Sequence, residues 1–323
     1  MKTAQSKWLF ADLVEDGLKN NVSYNKKSIE KRAAGFGLFD KNLIKELTEL
    51  AIVRRARAIV QMGKGVSDTY DGMLALYKNQ VNLSHRTSHS ILLQQYSTPA
   101  PVSYLAGVFA GIDKDVSVFE PSAGNGLLTI AARPQNVTVN EIDPVRRANL
   151  ERQGYKKGLA IDAIAPFKGF EKSFDAVLTN PPFGHLDEPV MYDTFPIKAL
   201  EHLMALRALD CMKDNGRASI IIGGHTHWDE LGRITGRDRI FFNYLYSRYN
   251  VIDVLNINGG LYSRQGTSFD VRLILIAGRK LQPQGHAPLK KEEDTEISSY
   301  KNLYGRVTED MNYEPMMKIG RVV

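Results

Sequence analysis

Asn180-Pro181-Pro182-Phe183 sets a side-chain amide beside two prolines and a planar ring. The amide oxygen is an acceptor, and proline fixes φ and removes a competing N–H, so the tetrapeptide presents an acceptor oxygen, a rigid carbonyl and an aromatic face. Such a device holds a planar amine, accepts hydrogen bonds from its N–H groups and stacks on its ring. Earlier in the chain, Phe119-Glu120-Pro121-Ser122-Ala123-Gly124-Asn125-Gly126 follows the apolar run VSVF. Its glycines permit a tight turn and let a ligand lie close to the backbone. It departs from the G-x-G-x-x-G pattern, and a plain structural turn accounts for such a stretch about as well. In the next segment, Asn140-Glu141-Ile142-Asp143-Pro144, Glu141 is placed to accept hydrogen bonds from ribose hydroxyls and Ile142 to pack on an adenine face. The plainer alternative is that Asp143 caps the following helix. Together the two segments favour an adenosine-containing cofactor.

Residues of this kind need a sheet behind them. After Gly111 the chain alternates short apolar runs with helical stretches: VSVFEPS, VTVNEID, GLAID, FDAVLTN, ASIIIGG, VIDVLNI and SFDVRLILIAG. That rhythm predicts an α/β fold with a mostly parallel sheet. The last two runs are joined by NGGLYSRQGT, which leaves no room for a helix, so they should pair as an antiparallel hairpin at one edge. The Gly-rich turn should open into a helix. Upstream, KNLIKELTELAIVRRARAIVQM places Leu43, Ile44, Leu47, Leu50, Ile52 and Val53 at helical spacing, with Asp40 as N-cap and Gly63 and Gly65 beyond its end. The organisation expected is a basic helical extension over 1–88, a catalytic domain over 89–280, and a linker and tail over 281–323, opened by the Pro- and charge-rich LQPQGHAPLKKEEDTE.

The motifs in this order resemble the S-adenosylmethionine (SAM)-dependent amino methyltransferases, above all the N6-adenine DNA methyltransferases of gamma-type order. The resemblance runs from about Gln94 to Gly278. It implies a Rossmann-like methyltransferase sheet and SAM as cofactor, with Asn180, Pro181, Pro182 and Phe183 as the catalytic tetrapeptide. The cofactor would be held by Tyr96, Ser97 and Thr98 of QYSTP, by Glu120, Pro121, Ser122, Ala123, Gly124, Asn125 and Gly126, by Glu141 and Ile142, by Asp162 and Ala163 of LAIDAI, and by Asn180. Phe183 and Tyr262 would stack on the extruded base. Phe269 competes with Tyr262 for that place, but it opens an apolar strand and a core position suits it at least as well. Two departures stand out: no large target-recognition segment follows the sheet, and EHLMALRALDCMKDNGRASIIIGGHTHWDELGRI also resembles methylase segments of phage and mobile-element proteins that carry a helicase. DNA is therefore the implied partner ahead of RNA, with a helicase or specificity subunit as a further one.

Composition narrows the classes. At 323 residues the chain holds enough for a large core, and no apolar run approaches the length of a membrane span. The N-terminus carries acids where a signal peptide would be apolar, and the single cysteine, Cys211, excludes intrachain disulfides and multi-thiolate metal sites, so a reducing, cytoplasmic setting is expected. His225 and His227 read as a polar loop, with no metal expected. The net charge of +6 lies wholly in residues 1–90, which hold 15 Lys+Arg against 9 Asp+Glu. Either Arg54, Arg55 and Arg57 meet a polyanion there, or the helices are simply solvated. Rival functions are methylation of RNA or of a protein glutamine, or a SAM-binding module that has lost catalysis.

Overall fold

The computed structural model describes residues 2–83, 97–113, 115–224, 226–291 and 295–311. The seven apolar runs form β1 (Val118–Glu120), β2 (Val137–Asn140), β3 (Lys157–Leu159), β4 (Phe174–Thr179), β7 (Met212–Gly223), β8 (Tyr249–Ile257) and β9 (Val271–Arg279). They make one sheet in the order β3-β2-β1-β4-β7-β9-β8. The first five are mutually parallel, whereas β9 runs against both β7 and β8 and so builds the antiparallel edge expected from the short connection. Neighbours along a strand serve opposite faces. Val118, Leu178, Ile221 and Leu273 enter one apolar core, and Phe119, Val177, Ile220 and Ile274 enter the other. Burial on both faces is why these strands read as continuous apolar runs without alternation.

The first core is shared with the N-terminal helices α1 (Lys2–Lys19), α2 (Lys26–Gly35), α3 (Lys41–Met62) and α4 (Val66–Asn79), and with α5 (Ala100–Phe109). Asp40 caps α3 as the sequence implies, accepting from the amides of Asn42 and Leu43. Apolar contact runs without a break from Phe10 and Leu47 to Val118 and Leu178. The second core is covered by α7 (Leu200–Asp210) and α8 (Gly236–Arg248), while α6 (Pro144–Glu151) packs on the first.

Three elements depart from expectation. The Gly-rich turn does not open into a helix: residues 127–132 form successive turns, with the Ile130 amide on Leu127 O and the Ala132 amide on Thr129 O. A buried arginine on α3 braces these turns: Arg57 donates to Ala132 O at 2.8 Å and to Thr129 Oγ1 at 3.1 Å. That use also corrects the expectation of Arg57 as a polyanion contact. Directly after Asn180-Pro181-Pro182-Phe183, β5 (His185–Tyr192) and β6 (Phe195–Ala199) form a separate antiparallel hairpin, turned at Asp193 with φ +51°. Finally, the stretch expected as linker and tail contains α9 (Tyr300–Asp310), whose Leu303 and Val307 are fully buried. Ile297 just ahead of it bridges to Ile257 on β8. Among the described residues no helix is long and apolar enough to cross a membrane.

Candidate functional site

Because β1, β2 and β4 are parallel, Glu120, Glu141 and Asn180 emerge at the same edge of the sheet. Chain order reverses between β1 and β4, the place where open α/β sheets leave a crevice. A cavity of about 200 Å³ opens there, lined by Ser97, Thr98, Glu120 to Gly124, Glu141, Ile142, Asp162, Ala163, Asn180 and Pro182. Most of the cofactor positions expected from sequence therefore meet in one place. Asn125 and Gly126 do not. The Asn125 amide points away, donating to Glu46 Oε2 and accepting from Asn149, each at 2.7 Å. Gly126 is needed by its own surroundings, with φ +92° and the Tyr155 hydroxyl 2.1 Å from where a Cβ would stand. Tyr96 and His225 lie outside the described residues, and His227 is exposed.

Backbone donors hold the acids in place. Glu141 accepts from the Gly124 amide at 2.7 Å and from the Asp143 amide at 2.8 Å, so it joins the Gly-rich turn to the start of α6. Asp143 caps that helix through the amides of Val145 and Arg146, so the capping role of Asp143 and the cavity position of Glu141 coexist. Asn140, which sequence reasoning left out of the site, spaces the loops: its Nδ2 donates to Pro121 O and Ile161 O, and its Oδ1 accepts from the Ile161 amide. Burial pushes the carboxyl groups of both Glu120 and Glu141 above the usual carboxylate range. Glu120 is 2% exposed, and its Oε2 has no hydrogen-bond partner. A buried acceptor of that kind in a cavity wall matches a cationic donor.

Asn180 stands at the end of β4, and its Nδ2 donates to Thr98 Oγ1 at 2.9 Å. The same residue lines a second, smaller cleft with Pro181, Phe183, Tyr262, Thr267, Phe269 and Val271. Both aromatic candidates for the target base reach this cleft, with exposures opposite to expectation. Tyr262 is 1% exposed within the wall, whereas Phe269 is 48% exposed and precedes β9, contrary to the core position expected for it.

Sequence reasoning also missed the floor of the site, which α3 supplies. Glu49 and Arg146 line the large cavity. Arg146 Nε donates to Glu46 at 2.9 Å, and the Ser97 hydroxyl donates to Glu49. The available signal was weak: two carboxylates three positions apart, Glu46 and Glu49, within the largely apolar stretch Leu43 to Val53 of α3. Among the described residues no group of His, Cys, Asp and Glu is arranged to hold a metal ion.

No protein-family model and no curated protein matches the chain. Solved structures do. One is a protein from Listeria monocytogenes named as a class I S-adenosylmethionine-dependent methyltransferase, at a TM-score of 0.50 and 16% identity over 96% of this chain and 98% of that one. The fold is that of a Rossmann-like SAM methyltransferase. Similar too are the modification subunit of a type I restriction enzyme from Vibrio vulnificus (TM-score 0.49, 13% identity, 76% of this chain, 59% of that one) and a type I restriction-modification methyltransferase subunit from Streptococcus thermophilus (0.47, 11%, 94% and 86%). On this fold the large cavity occupies the crevice beside the first strand, and the cleft opens on the side of the β8–β9 hairpin.

Proposed function

We propose that the chain is a SAM-dependent DNA methyltransferase acting on the N6 amine of an adenine turned out of the helix. The observation that carries this reading is the position of Asn180, which lines both the large cavity and the cleft. A group transferred from one to the other passes that residue. The cavity's donor set suits the cofactor: Glu141 for the ribose, Ile142 and Asp162 for the adenine face and amino group, Glu120 with Ser97 and Thr98 for the methionine part. When bound, SAM supplies a methyl group activated by its sulfonium sulfur.

The remaining chemistry belongs to the chain. An exocyclic adenine amine is a poor nucleophile because its lone pair is delocalised into the ring. Thr98 accepts from the Asn180 Nδ2, and in this reading Oδ1 serves the target amine together with the Pro181 carbonyl. Two acceptors placed in advance draw the nitrogen toward tetrahedral geometry and stabilise the positive charge that develops on it. No strong base is required. Phe183 offers a face for the extruded base and offsets part of the unstacking cost of a few kcal/mol. A specificity or helicase partner belongs to the same reading, since two of the candidate DNA-contacting arginines are engaged within the protein: Arg57 is buried and Arg54 pairs with Asp12 at 2.8 Å.

The test is incubation with labelled SAM and DNA, RNA or a glutamine-bearing protein, followed by digestion and mass spectrometry. N6-methyladenine in DNA is the expected product. Label confined to RNA or to glutamine overturns the substrate assignment, and N4-methylcytosine moves it to another base. C5-methylcytosine overturns the mechanism, because that reaction needs a cysteine nucleophile. Cys211 is buried at the end of α7, far from the site edge of β7, and burial pushes its thiol up to about 12.

A further inference from the structure

Glu49 belongs to none of the sequence motifs, yet it reaches the same cavity as Glu120 from the N-terminal helical layer. It is 1% exposed. One carboxylate oxygen accepts from the Ser97 hydroxyl, and the other, Oε2, has no hydrogen-bond partner. Neighbouring Glu46 differs in this respect. It takes Arg146 at 2.9 Å, Asn125 at 2.7 Å and Lys45 at 4.0 Å, so both cations pair with Glu46 and act on Glu49 only from farther off. The cavity thus contains two buried carboxylate oxygens without partners, on Glu49 and on Glu120. A buried acceptor left in that state is unfavourable until a donor meets it, and a primary ammonium group brings a positive charge and three N–H donors.

We propose that Glu49 is a cofactor-binding residue which, with Glu120, receives the α-ammonium group of the amino-acid part of the cofactor. The inference rests on the reading of the large cavity as a SAM site. It makes the helical layer a wall of that site, in contact with the amino-acid end of the ligand. Ser97, at the same end of the cavity, donates its hydroxyl to the Glu49 carboxylate.

Calorimetry on the full chain with three probes tests it: SAM, S-adenosylhomocysteine, and 5′-methylthioadenosine, which keeps the nucleoside and sulfur but lacks the amino acid. In Glu49→Gln the affinity for the first two should fall roughly ten- to hundredfold, the range of a hydrogen bond to a charged group, with 5′-methylthioadenosine unchanged. Glu49→Asp, which keeps the charge but shortens its reach, should show a smaller loss with the same selectivity, and it decides the matter should Glu49→Gln fail to fold. Unchanged SAM binding in both variants overturns the assignment, as does an equal loss of all three ligands, which marks a structural role. Wild-type protein that binds none of the probes overturns the cofactor reading itself, an outcome distinct from selective failure at Glu49.

Discussion

Asn180 is oriented by a threonine 82 positions earlier in the chain, and the proposed function gives it a role apart from that of Glu120 and Glu141. Asn180→Ala should leave SAM binding nearly intact by calorimetry while methyl transfer falls by about a hundredfold or more, the usual cost of removing a group that acts on developing charge. Glu141→Ala should do the opposite: loss of a charged acceptor costs ~1.5–3 kcal/mol of SAM affinity, and the Gly124 and Asp143 amides lose their partner as well. Unchanged SAM affinity in that variant would sink the ribose placement. Glu120, Glu141 and Asn180 were legible because each sits in a short pattern at the end of an apolar run. Asn140 and Glu49 were not. An asparagine that spaces loops and a glutamate inside an apolar helix acquire their roles only when distant segments meet.

Among elements, α3 is the one whose charges were misread. Its arginines look like surface in sequence, yet Arg57 fixes the turns after the Gly-rich loop and also reaches the Tyr155 hydroxyl at 2.5 Å. Arg57→Met should therefore lower unfolding stability by ~2–4 kcal/mol in urea titrations, whereas Arg55→Met, half-exposed on the same helix, should stay within ~0.5 kcal/mol. On the opposite face, His202 of α7 lies buried and stacked on Phe241 at 4.1 Å, and burial lowers its pKa to about 4. The unfolded chain binds that proton near pH 6.5 and the folded one resists it, so its contribution to stability is complete above that value and is lost as pH falls toward 4. His202→Phe should flatten the acid limb of thermal denaturation across this window. The strands of the main sheet were readable because burial on both faces makes them uniformly apolar. The β5–β6 hairpin was not, since HLDEPVMY exposes most of its length and leaves no such run.

For the molecule as a whole, the N-terminal helices and the sheet share one core, so the chain from α1 to β9 should melt in a single transition that the cofactor raises. Burial raises the carboxyl groups of Glu49, Glu120 and Glu141 above their ordinary 4.5. Protein without cofactor then holds protons that the unfolded chain has released, and its stability falls as pH rises from 4.5 through the raised values. A bound ammonium group displaces the protons of Glu49 and Glu120, so the shift in Tm produced by SAM should grow with pH through that range and level off above it. The far edge of the sheet has a different consequence. The backbone of β8 at Asn256 and Asn258 pairs with Ile297, and Arg306 of α9 reaches Asp253 on the same strand. These contacts occupy the outer side of the C-terminal half of a nine-residue edge strand, which when bare is a template for strand addition by another copy. Protein cut after Arg279 should therefore self-associate in light scattering at concentrations where the whole chain stays dispersed, because Ile297 and the helix behind it stand where the strand of another copy would add.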